Sequence, residues 1–500
     1  MRVNPAGARE GDASTGVSGL DDILGGGLKR RRVFLFEGSP GTGKTTAALS
    51  FLLAGAAAGE KTLYVTLSET EEELRDTAAS HGWDLQGVVV FELSPPESLL
   101  DERQQQSLLY SSDLELGETT RLILEAIERV QPSRVVIDSL SEIRLLAQGS
   151  LRYRRQVLAL KHYFAKHNAT VVLLDDLTAE VTDKTVHSVA HGVVRLEELA
   201  PEYGAERRRV RVTKYRGRKF RGGYHDFTIR TGGLDVFPRL VSSEHRTDFD
   251  RTPLPSGVAG LDALLRGGVE RGTSCLVLGP AGTGKSLLTL TFAISAIARG
   301  ERAALFVFDE EVGLFAERAR AFGIDIPALR ASGDLILEQV DAAELSPGEF
   351  TSRVRACVAR SGAQTVVLDS LNGYQAAMPG EHSLLLHMHE LLQFLNRQGA
   401  TTFLTVAQHG LVGDMRSPVD VTYLADTVLL LRYFEALGHV RRAISVVKKR
   451  AGQHERTIRE YTIDERGVVV GEPLTQIQGI LGGFPVFMGS SAGLMPETRP

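Results

Sequence analysis

Short, continuous apolar runs alternate with amphipathic segments along the first half of the chain. VFLFEG, TLYVTL, RVVID and TVVLLD lack polar alternation, and segments with helical spacing such as EEELRDTAASHG and RRQVLALKHYFAKHN separate them. Strands with both faces covered have such sequences, because all of their side chains are buried. The pattern predicts an α/β domain whose mostly parallel sheet has helices on both faces. RVRVTKYR and HDFTIR instead predict antiparallel strands added at one edge.

The same pattern occurs twice. TGVSGLDDILGGGL returns as SGVAGLDALLRGGV, VVIDSL as VVLDSL, and VTKYR as VVKKR, at a nearly constant offset. Such repetition indicates a duplicated domain. We expect domains at 1–240 and 254–485, a polar linker at 241–253 and a flexible tail at 486–500.

Composition narrows the class of protein. The chain has 500 residues, of which 43% are hydrophobic, and a formal net charge of −5. No apolar run reaches the roughly 20 residues that cross a bilayer, so we expect no membrane association. The two cysteines form no disulfide framework, and a cytoplasmic location is expected. The acidic balance disfavours nucleic acid as a partner.

Each half contains a glycine-rich loop, GSPGTGKT or GPAGTGKS, between a strand and a helix. In this motif the backbone amides cradle phosphates, the lysine neutralises the β- and γ-phosphates, and the final hydroxyl binds Mg²⁺. ATP and Mg²⁺ are therefore the expected cofactors. The expected nucleotide-binding residues of the loops are Gly38, Ser39, Pro40, Gly41, Thr42, Gly43, Lys44, Thr45, Gly279, Pro280, Ala281, Gly282, Thr283, Gly284, Lys285 and Ser286.

Asp138 and Asp369 each end an apolar strand downstream of a glycine-rich loop. A carboxylate there can hold a water on Mg²⁺. We expect both as metal-site residues together with Thr45 and Ser286, although an aspartate at a strand end is also common without a metal.

Acids also follow the second strand of each half. Glu69 occupies this place in the first half, and the adjacent Asp309 and Glu310 occupy it in the second. Hydrolysis needs a carboxylate that orients or deprotonates water, so these are candidate catalytic acids. The alternative is a solvated helix start, where acids are favoured by the helix dipole.

A pair of cations recurs near the end of each half. Lys214 and Arg216, like Lys448 and Arg450, are two residues apart on a predicted strand and so share a face. Presented to the γ-phosphate of a neighbouring subunit, they would act as arginine fingers do. The alternative is an exposed basic strand.

Together these residues resemble the KaiC family, the double-domain RecA-like ATPases named after the circadian clock protein. The resemblance rests on GLDDILGGGL and GLDALLRGGV, both glycine-rich loops, SHGWDL, the two DSL triplets, the basic strands, and ADTVLLLRYFE followed by RRAISVVKKR. It covers about residues 10–485 and implies two tandem RecA-like P-loop domains.

The resemblance also implies a hexamer of two stacked rings, with ATP at the subunit interfaces. The N-terminal ring would be mainly an ATPase. The C-terminal ring would phosphorylate its own hydroxyl residues across the interface, with the basic pairs acting in trans. Ser80 and Phe322 match positions that line the nucleotide base. A signalling role with an unidentified protein partner follows.

The chain departs from the family at several positions. The Ser-Thr acceptor pair of the family reads Thr422-Tyr423 here, Asp309 is one methylene shorter than the family's glutamate, and Ser68 replaces an acid. Two alternatives stand beside the ATPase and autokinase, the first because RecA-like cores also serve DNA-processing motors and the second because the acid positions are altered. One is a RecA-type DNA-processing ATPase, and the other is a nucleotide-gated regulatory scaffold without kinase activity.

Overall fold

The structure is a computed structural model that describes residues 11–93, 108–177, 185–200, 204–242, 247–308, 310–341, 343–376, 384–408, 422–481, 485–488 and 494–495. The chain divides into two compact units, Met1–Arg239 and Leu240–Pro500.

The first unit alternates helices and strands as the apolar pattern predicts. Its helices are α1 (Ser18–Leu24), α2 (Lys44–Ala57), α3 (Glu71–Ser80), α4 (Leu108–Val130), α5 (Leu140–Ala147), α6 (Ser150–Lys166) and α7 (Thr185–Val189). Its strands are β1 (Asp12–Ala13), β2 (Leu28–Lys29), β3 (Val33–Gly38), β4 (Thr62–Thr66), β5 (Val88–Glu92), β6 (Arg134–Asp138), β7 (Thr170–Asp176), β8 (Gly192–Leu199), β9 (Arg207–Tyr215), β10 (His225–Arg230) and β11 (Gly233–Phe237).

Nine of these strands form one sheet in the order β11-β10-β9-β8-β3-β7-β6-β4-β5. The six strands from β8 to β5 are parallel, whereas β9, β10 and β11 are antiparallel additions. All residues of β3, β4 and β6 are buried. Two apolar clusters cover the two faces of the sheet, as continuous apolar strands require.

The second unit repeats this plan. Its helices are α8 (Ala259–Leu264), α9 (Lys285–Ala298), α10 (Val312–Arg320), α11 (Ile326–Ser332), α12 (Pro347–Ser361), α13 (Leu371–Ala376) and α14 (Leu384–Arg397). Its strands are β12 (Pro253–Leu254), β13 (Val269–Glu270), β14 (Ser274–Gly279), β15 (Ala303–Val307), β16 (Leu335–Gln339), β17 (Thr365–Asp369), β18 (Thr401–Ala407), β19 (Thr427–Ala436), β20 (His439–Lys449), β21 (Ile458–Asp464), β22 (Gly467–Pro473), β23 (Ile477–Gln478) and β24 (Val486–Phe487).

Its sheet has the order β16-β15-β17-β18-β14-β19-β20-β21-β22. The first six strands are parallel and the last three antiparallel, which is the arrangement of the first unit. The predicted fold class is therefore confirmed. Within the part of the chain that the structure describes, no helix combines the length and apolarity needed to cross a membrane.

Two segments outside the predicted domains form part of the second unit and bond to the rest of it. In the predicted linker, the Thr247 amide donates to the Arg397 carbonyl over 3.0 Å. In the predicted tail, β24 pairs with β23, and the Met495 amide donates to Glu460 over 2.6 Å. The domain boundaries and the flexibility of the tail stay predictions.

Candidate functional site

The first glycine-rich loop connects the carboxyl end of β3 to the start of α2. Gly41 and Gly43 have φ values of 82° and 89°, in the left-handed region that side chains disfavour. A Cβ on Gly38 would lie 2.5 Å from the Leu196 carbonyl oxygen. Gly41 and Gly43 therefore let the loop turn tightly into α2, whose N-terminus offers amide groups to a phosphate, and Gly38 leaves room for the neighbouring strand β8.

Lys44 is buried at the start of α2 and folds back over the loop. Its Nζ donates to the carbonyl oxygens of Gly38 and Ser39, at 3.0 and 2.8 Å. It also forms an ion pair of 2.8 Å with Asp176 Oδ1 at the end of β7. The ammonium group therefore lies inside the loop, where bound phosphate would meet it.

Asp138 lies beside the loop, at the carboxyl end of β6. Thr45 Oγ1 lies 3.4 Å from Asp138 Oδ2, and the Tyr64 hydroxyl donates to the same oxygen over 2.5 Å. Burial raises the pKa of Asp138 above its ordinary value, and the hydrogen bond from Tyr64 offsets part of the rise. The predicted pair Thr45 and Asp138 thus comes together.

Glu69 follows β4, at the same carboxyl ends of the parallel strands. Burial, and then the nearby charge of Asp138, raise the pKa of this carboxyl group. Its Oε2 atom is buried and accepts no hydrogen bond from the described residues. A buried carboxylate oxygen that faces other acids is suited to a water or a cation.

The second loop has the same backbone. Gly282 and Gly284 have φ values of 77° and 89°, and a Cβ on Gly279 would lie 2.8 Å from the Leu431 carbonyl oxygen. Lys285 Nζ donates to the Pro280 carbonyl over 2.8 Å. Burial lowers the pKa of this lysine.

The acids of the second unit have different partners from those of the first. The Thr405 hydroxyl, on β18, donates to Asp369 Oδ1. In the first unit the donor is Tyr64 on β4, so the hydroxyl comes from the opposite neighbouring strand. Glu310 forms a 2.7 Å ion pair with Arg318 of α10. Asp309 lies outside the described residues.

Both predicted basic pairs contact the segment that precedes a parallel neighbour of the loop strand. This neighbour is β8 in the first unit and β19 in the second. In the first unit, Lys214 Nζ donates to the carbonyls of His187 and Ala190, and Arg216 to that of Ser188. Arg216 directly follows β9 rather than lying within it. The two side chains nevertheless reach the same segment, in agreement with the shared face that their spacing predicts.

In the second unit this segment contains the candidate acceptors. Lys448 Nζ donates to the carbonyls of Thr422 and Ala425, at 2.8 and 2.7 Å, and Arg450 lies 3.4 Å from the Tyr423 carbonyl. Thr422 is exposed, and 49% of Tyr423 is accessible. The cations therefore hold the acceptor segment by its backbone.

A β-bulge precedes the lysine in both units. Val193 and Val194 of β8 pair with Lys214 and Val212, which leaves Thr213 as an extra residue in β9. Val447 of β20 is extra in the same way. A bulge turns consecutive side chains to one face. Buried Val212 and half-buried Lys214 accordingly lie on opposite faces although they are two residues apart.

The nucleotide loop and the segment bound by the basic pair lie at opposite ends of the parallel strands in each sheet. The loop follows their carboxyl ends, and the segment precedes their amino ends. Gly279 ends β14, whereas Asp426, at the close of the acceptor segment, donates its amide to the Ser274 carbonyl at the strand's other end. A strand of this length spans about 20 Å. The acceptor segment of the second unit is therefore remote from the nucleotide loop of that same unit.

The two predicted base-lining residues lie near the loop helices. Ser80 ends α3 and is exposed, and the adjacent His81 lies 3.3 Å from Thr46 of α2. Phe322 follows α10 and lines a small cavity with Ser286 of α9. Their contact with a base stays a prediction.

The residues present fit Mg·ATP. In each loop the lysine donates to a backbone carbonyl of the loop itself, and in the first unit Thr45 and Asp138 present two neighbouring oxygen ligands. Hard oxygen donors of this kind are those that Mg²⁺ prefers, with phosphate completing the shell. Bound ATP would supply the phosphoryl group, and Mg²⁺ would neutralise its charge.

Three residues of these sites, Asp176, Tyr64 and Thr405, were not predicted from the sequence. Asp176 ends the apolar run TVVLLDD beside the loop strand. Since ligands bind at the carboxyl ends of parallel strands, that position was a usable signal. Tyr64 and Thr405 lie inside apolar strands and carried no such signal.

Comparison with known proteins agrees with this geometry. The family model described as "ATPase: KaiC" matches residues 13–241 and 254–475. The Circadian clock protein KaiC3 of Synechocystis sp. is 28% identical over 95% of this chain and 95% of its own length. The Circadian clock oscillator proteins KaiC of Acaryochloris marina and Thermosynechococcus vestitus are 27% and 28% identical over 94% of this chain, and 90% and 91% of their lengths. The chain therefore belongs to the KaiC family of ATPases and carries the family's domain twice in tandem.

Proposed function

We propose that the protein is a KaiC-like ATPase that assembles as a double-ring hexamer and phosphorylates its own Thr422. Each ring would contain one type of domain, with Mg·ATP bound between neighbouring copies. The phosphorylated ring would signal to a protein partner. Membership of the KaiC family and the two loops of matching geometry support ATP hydrolysis in both halves.

The observation that carries this proposal is the separation between loop and acceptor. Thr422 lies at the amino end of β19, whereas Lys285 lies beyond the carboxyl end of the parallel neighbour β14. One unit cannot bring the two ends of its parallel strands together without disrupting its own sheet. An acceptor segment held by Lys448 and Arg450 can instead face the loop of a second copy, which a closed ring supplies.

The transfer would proceed in line across that interface. The Thr422 hydroxyl oxygen attacks the γ-phosphorus of ATP, and the bond to the β-phosphate oxygen breaks. ADP leaves, and the hydroxyl proton passes to the carboxylate of Glu310 or Asp309. Lys448 and Arg450 would orient the acceptor and offset the charge on the phosphoryl oxygens.

Labelling with ATP tests the proposal. Purified chain is incubated with γ-labelled ATP and Mg²⁺, free phosphate is separated from protein-bound label, and the labelled peptide is mapped. We expect both products, with bound label lost in Thr422→Ala and kept in Thr475→Ala, which removes a hydroxyl from another exposed threonine. Tyr423→Phe should also keep the label.

Mixed rings test transfer between copies. Thr422→Ala retains both nucleotide loops without an acceptor, and Lys285→Ala retains the acceptor without a working loop. Each variant alone should stay unlabelled, and the co-assembled mixture should regain label. Free phosphate with no bound label in the unaltered chain would leave an ATPase and exclude the kinase. If no free phosphate is released from ATP, hydrolysis is excluded.

A further inference from the structure

Asp176 makes the first nucleotide loop different from the second. Its Oδ1 lies 2.8 Å from Lys44 Nζ, and the side chains of the aspartate and the lysine are 31% and 8% exposed. The pair therefore joins a buried ammonium group to a carboxylate that reaches solvent on one side. Lys44 is the residue expected to meet the β- and γ-phosphates.

The equivalent position in the second unit carries no charge. Asp176 pairs with Gly38 in the register of β7 and β3, and Ala407 pairs with Gly279 in the register of β18 and β14. Lys285 donates to Pro280 and forms no ion pair with a carboxylate of the described residues, although the charge of Asp369 acts on it from a greater distance. The difference between Asp176 and Ala407, at equivalent positions of the two units, thus distinguishes the two loops.

A carboxylate and a phosphate compete for the same ammonium group. Both accept charge-assisted hydrogen bonds from lysine, so ATP must replace the Asp176 contact as it enters the loop. Asp176 would then remain near the phosphates as an uncompensated negative charge. In the second loop, ATP meets a lysine whose contact in the described residues is a neutral carbonyl.

We infer that Asp176 is a specificity-determining residue that weakens triphosphate binding in the N-terminal loop relative to the C-terminal one. The inference rests on the proposed binding of ATP at both loops. The N-terminal half would exchange nucleotide readily, while the C-terminal half retains ATP for phosphoryl transfer.

A reciprocal exchange tests this on the full chain. Lys285→Ala confines binding to the first loop, and Lys44→Ala confines it to the second. In the first background, Asp176→Asn removes the charge at constant shape, and in the second, Ala407→Asp introduces it. Equilibrium dialysis with the labelled non-hydrolysable analogue AMP-PNP and Mg²⁺ measures each affinity, and thermal unfolding shows that each variant is folded.

Asp176→Asn should tighten binding about tenfold, and Ala407→Asp should weaken it about tenfold, as expected for one charge-assisted contact. Glu72→Gln, which removes the same charge from the exposed face of α3, should leave the affinity unchanged. Unchanged or weaker binding in Asp176→Asn would overturn the inference alone. Failure of the unaltered chain to bind the analogue would overturn the proposed function as well.

Discussion

At the scale of single residues, the two strand-end aspartates show one requirement met in two ways. Asp138 accepts from Tyr64 and Asp369 from Thr405, on strands that flank the aspartate strand on opposite sides. Asp138 is buried and Asp369 half-buried, and a carboxylate removed from water is stabilised by such a donor. The duplicated domain has therefore kept the bond while the donating residue has changed.

Tyr64→Phe should weaken Mg²⁺ use in the first half. The variant removes the 2.5 Å hydrogen bond that orients Asp138. In the Lys285→Ala background, we expect the Mg²⁺ concentration for half-maximal ATPase activity to rise about three- to tenfold, as a lost bond to a charged group implies.

A purely structural role for Tyr64 would lower the melting temperature without moving this Mg²⁺ dependence. Thr405→Val in the Lys44→Ala background is the matched experiment for Asp369. An unchanged Mg²⁺ optimum in both variants would exclude the positioning role of these hydroxyls.

At the scale of helices and strands, one ion pair recurs in both units. It joins the segment before the loop strand to the segment after the loop helix. Arg30 and Glu60 pair at 2.8 Å in the first unit, and Arg271 pairs with Glu301 in the second. The first unit adds Arg134 of β6, which is 2% exposed and lies 2.9 Å from Glu60. These bonds tie α2 to the sheet that carries the site.

The Glu60 cluster should make the first unit sensitive to acid. Burial alone would raise the pKa of Glu60, but the hydrogen bonds from Arg30 and Arg134 prevail and lower it from 4.5 to about 2. Because the folded-state pKa is depressed, its stabilisation is complete above about pH 4.5 and is lost as the pH falls to about 2.

Glu60→Gln should therefore destabilise the first unit by about 3 kcal/mol at neutral pH, since it leaves Arg134 buried without its anion. Denaturant unfolding at neutral pH and at pH 3 measures the effect. The variant should lose less stability on acidification than the parent chain. An identical loss in both would show that other carboxylates control the acid response.

Sequence alone predicted the strands and loops well, since each depends on local pattern. VFLFEG and GSPGTGKT are recognisable without knowledge of their neighbours. The bulge at Thr213 was not predictable, because regular alternation places Lys214 on the face of buried Val212, and only pairing with β8 reveals the extra residue. Helix α4 was also not predicted, since its 23 residues contain Gly117, and glycine is unfavourable in a helix interior.

At the scale of the whole molecule, two units of the same plan each contain a complete set of loop, strand-end aspartate and basic pair. The roles proposed for them differ because a few side chains differ, chiefly Asp176 against Ala407 and His187–Ala190 against the segment with Thr422. Such differences between copies were readable from the sequence, but their importance was not, since it depends on which residues lie opposite each other across strands.

Disabling one loop should leave the other working. Lys44→Ala and Lys285→Ala should each lower bound nucleotide from about two to about one per chain, since each loop relies on its own lysine. Quantitation of nucleotide released from denatured protein measures this. Lys61→Ala, at an exposed lysine of the first unit, is the control and should retain both nucleotides. Equal occupancy in all three variants would contradict the loop assignments.

The bulges at Thr213 and Val447 determine where these strands can change length. With the extra residue present, Val212 and Tyr215 pack into one apolar cluster, Thr213 is exposed, and half-buried Lys214 shares the opposite face of the sheet with Val193. Removal of Thr213 would restore regular pairing and leave Lys214 opposite Val193. Removal of Arg211, two positions earlier, would instead exchange the inner and outer side chains of one strand end. A one-residue deletion is thus tolerable at the bulge and damaging nearby, so alignments of related chains should place single-residue gaps there.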